Sequence, residues 1–169
     1  MLAASEVVRQ YLQEVKRCSV IQIPYLSRKE GGTAWADIDL VGMFLRPRAE
    51  KLRAYMVAVA GPNQELTEQT ALAIAARNLA PDVVSHVCHK INTAPAEIRL
   101  AIVGFKPASR LDGPRSIDLE ERTVDLWYWD DIIHELLAEV NVKRLHDSPV
   151  LETLRLVKLT GSGPSHWAA

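Results

Sequence analysis

The sequence predicts an α/β domain in which a central mixed β-sheet carries helices on both faces. Three observations lead there. Gly31 to Pro62 holds two apolar runs joined by a basic connection, and each run alternates with the period of two that marks a strand. Glu97 to Phe105 (EIRLAIVGF) is apolar nearly throughout, as a buried parallel strand would be. Between such runs lie segments whose apolar residues recur at helical spacing.

Taken in order, Ser5 is placed to cap a helix from Glu6 to about Arg17, with Val8, Tyr11, Leu12 and Val15 as its apolar stripe. Ser19 to Tyr25 (SVIQIPY) reads as a short strand, Pro24 putting it near an edge or a strand end, and Arg28 to Gly32 reads as a loop. The predicted hairpin follows. In its first strand Ala36, Ile38, Leu40 and Gly42 alternate with Asp37, Asp39 and Val41, so the two aspartates share a face. Arg46 to Arg53 makes the turn. In the returning strand Met56, Ala58 and Ala60 lie on one face, Val57 and Val59 on the other.

Gly61 to Gln64 breaks that strand, and Thr67 or Asn63 caps a helix with Leu66, Ala71, Ile74, Ala75 and Leu79 on its apolar side. Asp82 to Ile91 forms a second helical piece. Its His86 and His89 have no second ligand pair nearby in sequence and are read as structural. The strand over Glu97 to Phe105 is expected to sit centrally. Lys106 to Arg122 is a Pro/Gly/Asp-rich connection of the length that tends to serve function or to move. Thr123 to Trp129 returns as a strand, its Trp127, Tyr128 and Trp129 read as packing in preference to base stacking. Asp130 or Asp131 then caps a helix carrying Ile132, Ile133, Leu136, Leu137 and Val140, and Val150 to Leu159 is a last amphipathic helix entered through Asp147-Ser148-Pro149.

The 169 residues, 48% hydrophobic and 24% charged, fit a single domain over 1–160 with a frayed tail at 161–169. Cys18 and Cys88 lie far apart without metal-ligand spacing, and no signal segment or long apolar run is seen, so a reduced, cytoplasmic protein without a membrane segment is expected. A formal net charge of −1 argues against gripping nucleic acid over the whole surface. Two local clusters remain: Arg46, Arg48, Lys51 and Arg53 in the predicted turn, and Lys16, Arg17, Arg28 and Lys29 flanking the first strand. Each also reads as ordinary solvated surface.

Gly31-Gly32, Asp37-Ile38-Asp39-Leu40, the basic turn and the apolar strand ending at Gly61 together resemble the PD-(D/E)XK nuclease superfamily, in its resolvase and RecB-like branch. In that family an Asp and a Glu-x-Lys on the next strand converge on a divalent metal. Here the strand reads Val57-Ala58-Val59-Ala60-Gly61, with Ala58 at the expected Glu position and Ala60 at the expected Lys position. The resemblance implies a restriction-endonuclease-like core of order α-β-β-β-α-β. It implies Asp39 as catalytic residue and metal ligand, Asp37 as a second metal-ligating carboxylate at the margin of the site, and the Val59 carbonyl as a further ligand, with magnesium or manganese as cofactor of an active form. It also nominates Glu6, leaning over the site from the first helix, and Gln69, near the start of the helix after the hairpin. A carboxylate favouring the positive end of the helix dipole is an equal reading of Glu6, and a solvent-facing position is the other reading of Gln69. Arg46, Arg48, Lys51, Arg53, Arg28 and Lys29 become the candidate nucleic-acid contacts.

Cutting a phosphodiester takes a metal to neutralise the phosphate, a water made nucleophilic, and stabilisation of the charge that develops. Alanine at 58 and 60 removes one hard oxygen ligand and the nearby cation, so magnesium should bind weakly. The expected function is therefore a metal-dependent DNA endonuclease fold, inactivated at Glu-x-Lys by engineered or natural replacement. The alternative is a catalytically dead module binding nucleic acid or protein within a larger DNA-processing or defence assembly. A chance resemblance, with both alanines plain core, is the third account. DNA is the expected partner, and an active form would be a homodimer, since two sites cut two strands.

Overall fold

Leu2–Gln10 forms α1, and the helix runs on through a π turn at Tyr11–Val15, where the Lys16 N–H reaches back five residues to the Tyr11 carbonyl at 3.1 Å. The computed structural model describes residues 2–21, 25–29, 32–36, 40–44, 51–61, 63–108, 113–120, 122–143 and 146–160. Ser5 lies inside α1 and does not cap it, because Leu2, Ala3 and Ala4 are strong helix formers that carry the helix past it.

The strands are β1 (Ser19–Ile21), β2 (Tyr25–Lys29), β3 (Gly32–Ala36), β4 (Leu40–Met43), β5 (Ala54–Val59), β6 (Ile98–Gly104), β7 (Ser116–Leu119) and β8 (Arg122–Tyr128). Six of them make one mixed sheet in the order β1-β4-β5-β6-β8-β7. Its centre, β5-β6-β8, is parallel, and its flanks are antiparallel. The apolar run at 98–104 occupies an inner position, as its unbroken hydrophobicity requires.

The predicted hairpin is present only in part. β4 does return antiparallel to β5, with Leu40 opposite Val57 and Met43 opposite Ala54. Ala36, expected in the same strand, ends β3, which pairs with β2 as a separate two-stranded sheet, Tyr25 opposite Ala36 and Lys29 opposite Gly32, and residues 37–39 lie outside the described residues. Alternation gives a strand's faces but not its partner, so one run of period two can span two different pairings. Arg28 and Lys29, read as loop, are ladder residues of β2. The connection over 106–122 likewise contains β7, which turns back on β8 through Glu120 in the left-handed region at φ 54°.

Helices cover both faces. Met56, Ala58 and Ala60 with Leu100, Ile102, Val124 and Leu126 pack beneath α2 (Glu68–Asn78) and α3 (Pro81–Ile91). Val57, Ala101 and Val103 pack beneath α1, α4 (Trp129–Glu139) and α5 (Pro149–Thr160). Thr67 caps α2, its hydroxyl accepting from the Thr70 N–H at 3.2 Å. Asp130 and Asp131 sit in the first turn of α4 and not at its cap, which is Tyr128, so they favour the helix dipole and leave the cap without a side-chain bond. α5 is tied to the far end of α4 by Lys158, whose Nζ donates to the Leu137 and Val140 carbonyls at 2.7 and 3.0 Å. Among the described residues no helix is long and apolar enough to cross a membrane.

Candidate functional site

The strand β5 places Ala58 opposite Ile102, and the Ala60 N–H donates to the Val103 carbonyl at 2.8 Å. The period of two puts both alanines on the α2 and α3 face, as the alternation predicts. There they are enclosed: Ala58 is 0% exposed and Ala60 9%. The chain turns sharply after them, the Gln64 side-chain oxygen accepting from the Gly61 N–H at 3.2 Å. The Leu66 N–H then donates to the Phe105 carbonyl at 2.8 Å, which draws Leu66 back over the carboxyl end of the sheet. A Cβ on Gly104 would lie 2.7 Å from Leu66 Cγ and 3.1 Å from the Ala60 methyl, so the glycine is what lets this lid sit down. For the magnesium or manganese that the resemblance implies, the described residues here present methyl groups and an isobutyl group in place of oxygen ligands. They do not fit the ion.

Of the other residues nominated with these two, those that the structure describes are dispersed. Asp37, Asp39, Arg46 and Arg48 lie outside the described residues. Glu6 sits on α1, in the layer on the opposite face of the sheet from Ala58, accepting from the Gln10 side chain at 2.7 Å and lying 3.6 Å from Arg9. Gln69 is on the same side as Ala58 but is exposed at the start of α2. Val59 faces the α1 layer. Lys51 and Arg53 stand before the amino end of β5, with Arg53 held to Glu97 at 3.4 Å, whereas Ala58 and Ala60 are at its carboxyl end. Seven residues of extended chain put roughly 20 Å between Arg53 and Ala60. Arg28 and Lys29 belong to the small second sheet. His86 is half-buried and His89 exposed on α3, and among the described residues no three His, Cys, Asp or Glu side chains gather as a metal site.

A different place gathers polar chemistry. On the α1 face, between the π turn, β8 and α4, lies a cavity of about 250 Å³ lined by Tyr11, Lys16, Asp125, Trp127, Asp131 and Glu135. Short π segments inside helices are frequent at functional sites, and this one delivers Tyr11 and Lys16 together. The Tyr11 hydroxyl donates to Glu135 Oε2 at 3.1 Å, and Lys16 Nζ lies 3.8 Å from the same oxygen. That ammonium also stands 5.0 Å from the Tyr11 ring centre and 5.6 Å from that of Trp127. Trp127 meets Tyr11 and Tyr55 edge to face at 5.5 and 5.3 Å, which anchors the wall. Arg115 pairs with Asp131 at the rim.

The electrostatics follow from the enclosure. Burial pushes the Tyr11 phenol far above its ordinary value, and the neighbouring Glu135 carboxylate adds to it. Burial also raises the Asp125 carboxyl, which Arg99 at 3.9 Å and Lys16 only partly offset. Perturbed groups converging on a cavity make it a candidate site. In the sequence alone Lys16 is a flank of the first strand and Trp127 a packing residue, and nothing there brings the two together. The packing is real, since Trp127 is held by two tyrosines and Tyr128 is buried with its hydroxyl donating to Pro114. What the sequence does carry is a Lys five residues after a Tyr at the end of a helix, and that spacing acquires meaning only once the π turn is seen.

No protein-family model, curated protein or solved structure matches this chain.

Proposed function

We propose that the chain is a non-cutting, nucleic-acid-binding module built on a nuclease-like α/β scaffold. The non-cutting part of this reading is carried by the closed face of β5, where the two positions at which the resembling family needs a carboxylate and an ammonium are methyl groups packed beneath Leu66 and α2, and the nucleic-acid part rests on the resemblance. The order of elements supports the scaffold. Setting aside the β2–β3 hairpin, the chain runs helix, three strands, helices, strand, which is the order of a restriction-endonuclease-like core.

The test is to incubate the chain with duplex, single-stranded and branched DNA and RNA, with magnesium or manganese, reading binding and cleavage together. Binding that weakens as salt rises, with no product, is the expected result. A metal-dependent product that disappears on Asp39→Ala restores the enzyme reading. Absence of binding to every nucleic acid removes the module's proposed ligand and leaves the partner-protein alternative.

A further inference from the structure

We infer that the cavity between the π turn, β8 and α4 is a binding site for an organic cation, an ammonium or guanidinium group, which Lys16 now occupies from within the chain. The site lies on the sheet face opposite Ala58 and Ala60, and nothing in it depends on the nuclease-like reading.

The walls have the chemistry that holds such a group. Two ring faces, Tyr11 and Trp127, look onto one point, and cations are attracted to the negative faces of aromatic rings. A carboxylate completes the point: Glu135 is 3.8 Å from the ammonium and is oriented by the Tyr11 hydroxyl. A second carboxylate, Asp125, lines the same cavity. The charge balance argues against an anion. Of the two cationic side chains on the cavity, Lys16 lies against Glu135 and Arg115 against Asp131, so an incoming phosphate or carboxylate would meet three acidic groups and break two ion pairs. The size argues for a small group. The cavity holds about 250 Å³ beside Lys16 with that side chain in place, below the usual range for a whole drug-sized ligand, and it adjoins the point the ammonium would vacate, so together they take the end of a basic side chain.

Lys16 is suited to leave. Its side chain is 29% exposed, and its flexible four-carbon stem can carry the ammonium out into water while the cage that it vacates keeps both rings and Glu135. An outside ammonium therefore competes with an internal one, so the affinity of the intact chain is set by how often Lys16 is out.

The test follows the indole N–H resonance of Trp127, assigned by its loss in Trp127→Phe, in the full chain and in Lys16→Met. The probes are n-propylammonium, N-acetyl-lysine amide and N-acetyl-arginine amide, with the uncharged Nε-acetylated lysine amide as control. Removing the resident ammonium should tighten binding of the charged probes at least fivefold, and Glu135→Gln in the Lys16→Met background should weaken it at least threefold, while the uncharged control leaves the resonance in place. If the lysine or arginine amide binds several-fold more tightly than propylammonium, the natural cation is a side chain of a partner protein; equal affinity points to a free small amine. The inference is overturned if the resonance of folded Lys16→Met does not move with any charged probe up to about 20 mM, a range that would reveal millimolar affinity. It is equally overturned if the uncharged control binds as well as its charged parent. Should Lys16→Met not fold, Lys16→Gln is held to the same outcomes.

Discussion

Tyr11 and Glu135, 124 positions apart in the chain, are joined by a hydrogen bond of 3.1 Å from phenol to carboxylate. It fastens the π turn to α4, so Tyr11→Phe keeps the ring contacts and deletes only the donor. The expected loss is about 0.5–1.5 kcal/mol in a urea titration, since the half-exposed carboxylate regains water when the phenol leaves. Burial of the phenol, with the Glu135 carboxylate beside it, also imposes a pH dependence. The folded-state pKa is raised above the unfolded value of 10.0, so its stabilising share is intact below pH 10.0 and fades as the solution becomes more alkaline. The gap between the wild type and Tyr11→Phe should narrow above that point. A gap that widens there would refute the assignment.

Asp125 shows the same sign of pH dependence, in the acid range, and its raised carboxyl costs stability at neutral pH. Burial raises its carboxyl above 3.8, which means that at neutral pH the folded protein holds a carboxylate it would hold more easily as an acid. Asp125→Asn should therefore stabilise at pH 7, by less than about 1 kcal/mol given the partial exposure and the Arg99 pairing that is lost with it. The advantage should shrink as pH falls through the raised folded-state value and be gone below 3.8. Thermal melts across that range decide it, and a benefit independent of pH would point to packing instead.

Ala58 and Ala60 differ in what they should tolerate. Ala58→Glu forces a carboxyl into a fully enclosed position and should cost at least about 3 kcal/mol. Ala60→Lys stands where the strand ends, so its stem can lie along apolar surface with the ammonium in water, and it should cost less than half as much. Chemical denaturation of the two single variants tests this ranking. An Ala58→Glu protein as stable as the wild type would mean that the face opens into a cleft.

Leu66 and Gly104 should be coupled. Gly104→Ala drives a methyl to 2.7 Å from Leu66 Cγ and should destabilise by about 1–3 kcal/mol. Adding Leu66→Ala makes the space, so the double variant should lose less than the two single losses added together. Simple additivity in that cycle would show that the leucine does not rest on the glycine.

How far the sequence discloses this molecule depends on how local the determining contact is. The apolar stripe of Val8, Tyr11 and Leu12, the two faces of β5 and the inner place of β6 were legible because each is written within about ten residues. The pairing of β3 with β2 was not, since a period of two is blind to partners, and β7 was hidden among the Pro, Gly and Asp of its surroundings. The extent of α1 was missed for a milder reason: Ser5 is a good cap, but Leu2 to Ala4 propagate a helix better still. The cavity was beyond reach altogether. Tyr11, Lys16, Asp125, Trp127 and Glu135 come from opposite ends of the chain and meet only because α1 and α4 cover the same face of the sheet.

Among the described residues the six-stranded sheet is bounded by short strands, β1 with three residues and β7 with four, and β4 beside β1 also has four, while β5, β6 and β8 have six or seven. A strand arriving from another molecule would find about 10–13 Å of ladder on either margin, too little to repay the ordering of a new chain. The long, apolar strands that would make good templates for fibril growth are the ones hydrogen-bonded on both sides. Length is thus graded from centre to rim, and on one rim the exposed carboxylate of Asp118 in β7 adds a charge against edge-to-edge pairing.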